Sequence, residues 1–138
     1  MAALFAYGTL MCDDILSTVA GCELPTEPAS LAGFRRLAVQ GEAYPGLVRW
    51  PGMTVQGVLA RAVPASAWVR LDRFEGDMYE RLTVRVQCAD GGTAVADTYL
   101  VRPAFRHCLA AGDWDFEHFL HHGKQGFRSH YRGYDSLG

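Results

Sequence analysis

Arg81-Leu-Thr-Val-Arg-Val-Gln-Cys88, Ala89-Asp90-Gly91-Gly92 and Thr93-Ala-Val-Ala-Asp-Thr-Tyr-Leu-Val101 form the stretch that decides the fold. Leu82, Val84, Val86 and Cys88 alternate with Thr83, Arg85 and Gln87, the period-two pattern of a strand with one face in a core. Asp90-Gly91-Gly92 supplies the residue types of a tight hairpin turn, so residues 93–101 return as the antiparallel partner. Residues 54–63 upstream alternate as well, with Val55, Gly57 and Leu59 flanking Gln56, and residues 30–39 are strand-like. Leu4-Phe5-Ala6-Tyr7 is a short apolar and aromatic run ending at Gly8-Thr9, a strand entering a tight loop. Asp13 and Asp14 precede Ile15, Leu16 and Val19, and Gly21 follows, which predicts a short helix with an acidic start and a glycine stop. Residues 23–29, with Pro25 and Pro28, read as a surface connection. Residues 64–74 read as a helix with Pro64 in its first turn, and residues 104–134 as one or two helices broken near Gly112 and Gly123. Strands dominate and short turns join them. That pattern argues against a doubly wound parallel sheet and predicts an antiparallel sheet or small barrel with helices packed outside.

The totals bound the function. A chain of 138 residues is one domain by length, 1–138, and buries enough surface to need neither disulfides nor metal. It is 49% hydrophobic with net charge −2, too apolar for disorder and too near neutrality for a bulk pull toward nucleic acid or anionic lipid. Cys12, Cys22, Cys88 and Cys108 form no C-x-x-C pair, so reduced thiols are expected. The first residues lack the basic start of a signal peptide, and no apolar run reaches membrane-spanning length. A cytoplasmic protein is expected, without nucleic-acid or membrane partners and with a monomer as the default state.

The residue type that carries chemistry is a carboxylate. On a helix over residues 64–75, Trp68, Leu71 and Glu75 fall on one stripe, whereas Arg70 and Arg73 point elsewhere. Glu75 therefore lies on the buried face, immediately before Gly76 at the helix end. There the apolar surroundings and the negative end of the helix dipole both raise its pKa, toward general acid–base use. A structural Glu75 paired with Arg81, or exposed on a frayed turn, fits the same wheel, and Asp72 lies close enough to share the role. A second feature is Tyr7-Gly8-Thr9-Leu10, where a glycine after a strand lets backbone N–H groups converge on an anion, though most such glycines only turn the chain. Neither G-x-x-x-x-G-K-[ST] nor G-x-G-x-x-G is present, so this is not a phosphate loop.

Taken together, Tyr7-Gly8-Thr9-Leu10, Tyr44-Pro45-Gly46-Leu47 and Leu71-Asp72-Arg73-Phe74-Glu75 followed by Tyr79 and Arg81 resemble the gamma-glutamylcyclotransferase-like family. The nearest pattern is that of gamma-glutamylamine cyclotransferases and avirulence-induced plant proteins. The match runs from about residue 4 to residue 101 and leaves 103–138 as a helical C-terminal extension. The resemblance implies an α+β fold, a small mixed, mostly antiparallel β-barrel flanked by a few helices. It implies an enzyme that releases pyroglutamate (5-oxoproline) and a free amine from a small gamma-glutamyl amide, by attack of the substrate's own α-amine on its γ-carbonyl. Glu75 matches the catalytic acid/base, and Tyr7, Gly8, Thr9 and Leu10 match the loop that grips the glutamyl head. Tyr44 and Tyr79 are candidate pocket walls, although a tyrosine in a barrel is more often core with its hydroxyl bonded. No cofactor and no metal are implied. Gly46 stands where the family pattern leads one to expect a small apolar residue such as alanine, and residues 41–53 read as a loop governing selectivity.

Other readings compete. His118 and His122 are spaced i, i+4 beside His121, a spacing that can chelate, yet no H-E-x-x-H and no third ligand accompany them, and a solvated helix end is expected. Cys12 lies near a helix N-terminus, but Asp13 and Asp14 oppose a thiolate and no histidine partner is evident. The segment from Arg102 to Arg132 interleaves five basic residues with Phe105, Trp114, Phe127 and Tyr131, an excess over three acids too small to specify nucleic acid. The same pocket could also serve a non-catalytic binding module or an amide hydrolase.

Overall fold

The computed structural model describes residues 2–130. In chain order the elements are β1 (Ala2–Ala6), α1 (Asp13–Ala20), β2 (Thr26–Val39), β3 (Pro45–Val63), α2 (Ala65–Glu75), β4 (Tyr79–Cys88), β5 (Thr93–Val101), β6 (Leu109–Asp113), α3 (Phe116–His118) and α4 (Lys124–His130). A five-residue π turn, Phe119–Gly123, joins α3 to α4, and 3-10 turns occupy Thr9–Met11 and Pro103–Cys108.

β4 and β5 form the hairpin that their alternation predicts, in register from Tyr79 opposite Val101 to Gln87 opposite Thr93. At its turn Gly91 takes φ +91, and Asp90 Oδ1 accepts from the Gly92 N–H at 2.8 Å. The strand order is β3-β1-β5-β4-β2, and β2 pairs back onto β3, which closes a five-stranded barrel; β6 adds to β2 outside it. β1 runs parallel to β5 and antiparallel to β3, so the barrel is mixed but mostly antiparallel. Strand alternation divides the interior in two. Phe5, Leu31, Leu47, Leu59, Val86 and Leu100 fill the barrel, while Leu4, Ala60, Val63 and Val101 face a second core completed by α1, α2 and the C-terminal helices.

Several boundaries differ from the sequence reading. Residues 26–29 belong to β2 rather than to a connection; β2 meets β4 only at Ala29 and Ser30, so at Pro28 one edge of the strand is open, where proline is tolerated. Most of the supposed loop 41–53 is strand, because β3 begins at Pro45 and absorbs residues 50–53 as a bulge between two registers against β2. Pro64 is extended (ψ 158) and caps α2 from outside its first turn. Arg70, off the Trp68, Leu71 and Glu75 stripe, reaches α1: its Nε and Nη2 donate to the carbonyls of Val19 and Thr18 at 2.7 and 3.0 Å, closing the C-terminal end of α1. The C-terminal region contains β6 as well as helix, and Gly123 ends the π turn without breaking the helix. The helical reading to residue 134, with Tyr131 and Arg132, extends outside the described residues.

Candidate active site

The last turn of α2 meets the end of β1 at the seam between the barrel and the helical layer. A narrow cleft with an accessible volume of about 20 Å³ opens there. Tyr7, Gly8, Thr9, Leu10, Tyr44, Glu75 and Tyr79, the residues singled out from the sequence, all line it. Trp68 and Leu71 are buried as the helical stripe requires, and Glu75 follows them to the cleft as a partly buried side chain. Gly76 then stops the helix at φ 76, ψ −163, a conformation essentially confined to glycine.

Burial, with the Asp72 charge adding to it, pushes the Glu75 carboxyl up to about 8. The alternative pairing of Glu75 with Arg81 does not form. Arg81 lies 3.6 Å from Asp72 and 3.8 Å from Asp97, with its guanidinium 4.5 Å above the Trp68 ring, and among the described residues Glu75 makes no ion pair. Asp72 in turn accepts from the Tyr99 hydroxyl at 2.7 Å. Burial raises the Tyr99 phenol far above its ordinary range, which keeps it a donor.

The Tyr7 and Tyr79 hydroxyls bond to the backbone. Tyr7 donates to the Tyr99 carbonyl at 2.7 Å, and Tyr79 donates to the Pro45 carbonyl at 2.6 Å. Tyr79 thus ties β4 to the start of β3 as well as lining the cleft. Gly8 is required by close approach: a Cβ there would lie 2.7 Å from Pro45 Cγ. Beyond it the Met11 and Cys12 N–H groups close a 3-10 turn on the carbonyls of Gly8 and Thr9, and the half-buried Arg36 holds the Tyr7 carbonyl at 2.7 Å. Gly46, the departure noted in the sequence, has a packing cause. A Cβ at that position would meet Val101 Cγ2 at 2.5 Å and Leu109 Cδ2 at 2.7 Å.

Sequence reading did not place Tyr99, Phe74, Pro45 and Phe127 in the site; with Leu4, Phe5 and Ala6 of β1 they complete the lining. The i, i+3 spacing of Leu71 and Phe74 was the available signal for Phe74; nothing local marks the others. The rival sites remain separate from the cleft. His118 and His122 stack with ring centroids 4.6 Å apart on an exposed helix face, and among the described residues no group of three or more His, Cys, Asp and Glu side chains is placed to hold a metal ion. Cys12 is buried, and that burial raises its thiol pKa more than Lys124 lowers it. All four cysteines are free thiols. Among the described residues no helix is long and apolar enough to cross a membrane.

Known proteins share this chain's pattern. AIG2-like protein D of Arabidopsis thaliana is 29% identical over 128 residues, spanning 92% of this chain and 84% of its own length. AIG2-like protein C of the same plant is 29% identical over 125 residues, with coverages of 90% and 72%. A solution structure of an Arabidopsis thaliana protein superposes with TM-score 0.72 at 27% identity, over 93% of this chain and 86% of that one. A solved structure named gamma-glutamyl cyclotransferase superposes with TM-score 0.60 at 15% identity, over 99% and 85% of the two chains, a likeness of fold alone. The family model described as gamma-glutamyl cyclotransferase, AIG2-like, matches residues 4–116, and the chain belongs to that family.

Proposed function

We propose that the protein is a gamma-glutamyl cyclotransferase that converts a small gamma-glutamyl amide into pyroglutamate and a free amine, with Glu75 as general acid/base. The observation that carries this reading is a carboxyl with its pKa near 8 in a cleft beside the loop of residues 7–10. Ring closure is intramolecular, so no enzyme nucleophile is needed; the site folds the substrate and moves protons. Backbone N–H groups of residues 8–10 hold the substrate's α-carboxylate or the oxyanion that develops on its γ-carbonyl. The Glu75 carboxylate takes a proton from the α-ammonium, and the freed amine attacks the γ-carbon. As the tetrahedral intermediate collapses, Glu75 returns that proton to the leaving nitrogen, the original C–N bond breaks, and the ring nitrogen's second excess proton passes to the departing amine, which leaves as an ammonium. The carboxyl begins and ends in the same state. A pKa near 8 suits both halves, because a stronger acid would remove the first proton poorly and a weaker one would return it poorly.

The test is incubation of the purified protein with a panel of gamma-glutamyl compounds, with pyroglutamate and glutamate followed by mass spectrometry. Wild type is expected to form pyroglutamate and folded Glu75→Gln to form none. Free glutamate in its place would identify an amide hydrolase, and binding without turnover a binding module.

A further inference from the structure

We propose that Phe127, carried into the cleft by α4, is a specificity-determining residue that limits the size of the amine the enzyme can expel. The inference rests on the cyclotransferase reading and assigns one wall of the same cleft. The family model matches residues 4–116, and α4 lies beyond that match.

Three contacts bring the C-terminal segment onto the cleft. Trp114 Nε1 donates to the Ala43 carbonyl at 2.7 Å, fixing the approach beside Tyr44. Gly123 lies so close to the same residue that a Cβ would sit 3.2 Å from Ala43 Cβ and 3.2 Å from Phe119 Cδ1. Lys124 Nζ then reaches Asp14 Oδ1 at 3.0 Å, anchoring the start of α4 to the first turn of α1. The π turn between Phe119 and Gly123 sets which face α4 presents. Eight residues along a regular α-helix leave two side chains roughly 80° apart around the axis. A π turn absorbs about one extra residue, so Phe119 and Phe127 fall together as an i, i+7 pair does. Their ring centroids are 5.8 Å apart at 78°.

Phe127 is buried at the cleft and meets Phe74 edge-on at 6.0 Å and Tyr44 edge-on at 6.3 Å. The loop of residues 7–10 is committed to the glutamyl head, and the Tyr79 and Tyr99 hydroxyls are committed to Pro45 and Asp72. The aromatic corner of Tyr44, Phe74 and Phe127 is a wall available to the other side of the scissile bond. Phe74 immediately precedes Glu75, which returns the proton to the departing nitrogen, so that corner faces the amine. Its packed edges confine the amine by shape, and the Phe127 ring is the part of the corner that α4 supplies.

The probes are gamma-glutamyl-methylamine and gamma-glutamyl-benzylamine, with kcat/KM measured for each on wild type, Phe127→Ala and Phe127→Leu. Hydrophobic walls discriminate by roughly 10- to 200-fold per group. The benzyl-to-methyl ratio of kcat/KM is therefore expected to rise at least tenfold in Phe127→Ala and by less in Phe127→Leu, mainly through KM for the benzyl compound. Should Phe127→Ala fail to give a cooperative melt, Phe127→Leu carries the comparison, with a threefold rise as its threshold. A ratio within twofold of wild type, or a parallel fall for both substrates, would show a merely structural Phe127 and overturn the inference while leaving the cyclotransferase reading intact. Absence of pyroglutamate from both probes in wild type, and from the wider panel, would overturn both.

Discussion

Glu75→Gln is expected to abolish catalysis and, at neutral and alkaline pH, to stabilise the fold. The carboxyl titrates near 8 in the native protein and near 4.5 in an unfolded chain, so the unfolded state releases its proton first. Such a group contributes its full stability below the unfolded pKa and loses it as pH rises through the folded one. The loss runs at about 1.4 kcal/mol per pH unit between those limits. Relative to a neutral glutamine of the same shape, wild type falls behind by ~3 kcal/mol at pH 7 and ~5 kcal/mol above pH 8. These are upper limits, since the open cleft keeps the carboxyl partly hydrated. The assay is urea unfolding of both proteins from pH 4 to pH 9, read as the difference in unfolding free energy. That difference should be near zero at pH 4 and grow steadily in favour of the variant. A flat difference, or a variant less stable at pH 7, would mean that native Glu75 is ionised and paired. The argument for a proton-transferring carboxyl would then fail.

Three further perturbations follow from the same geometry. In an enzyme active on gamma-glutamyl amides, kcat/KM should rise with pH toward about 8, where Glu75 ionises, and Asp72→Asn should move that limb to lower pH by removing the neighbouring negative charge; a limb that stays put or moves up contradicts the coupling. Gly46→Ala should cost about 1–3 kcal/mol in urea unfolding, because its methyl overlaps Val101 and Leu109, and Val101→Ala in the same chain should restore part of the loss. Tyr79→Phe should cost about 1–2 kcal/mol by stripping the Pro45 carbonyl of its buried donor, and should raise KM more than it lowers kcat, since the cleft wall loosens while Glu75 stays in place.

The legible parts of this fold are those whose signal is local. The alternation of residues 81–88 and the Asp90-Gly91-Gly92 turn are sufficient for the β4–β5 hairpin, and the Trp68, Leu71, Glu75 stripe brings the carboxyl to the cleft. The Asp13 to Gly21 helix is likewise marked at both ends, with Gly21 at φ +79. Where proline and glycine punctuate a strand, local reading stops too early. Pro51 and Gly52 look like a turn, yet β3 continues through them because β2 lies alongside on both sides of the bulge. Pro28 hides the start of β2 for the same reason. The hydrogen bond from Tyr99 to Asp72 spans 27 positions and follows only from barrel closure. Phe127 is further removed from local reading, because its place depends on a π turn whose extra residue leaves no mark in the periodicity.

A proton-transferring carboxyl faces two conflicting demands. It must be dry enough for its pKa to approach the working pH, and it must be reached by substrate. The last turn of α2 meets both. Trp68, Leu71 and Phe74 bury the helix, and Gly76, with φ 76 and ψ −163, ends it one residue beyond Glu75. One turn earlier, at Leu71, a carboxyl would be sealed in the core with no cleft to open on; one or two residues later, at the exposed Gly76 or Asp77, it would lie in water outside the cleft. The sequence Leu71-Asp72-Arg73-Phe74-Glu75-Gly76 is the compact solution. Its buried stripe is interrupted by a carboxyl where the cleft opens at the barrel rim, and the glycine that follows keeps the helix from covering it.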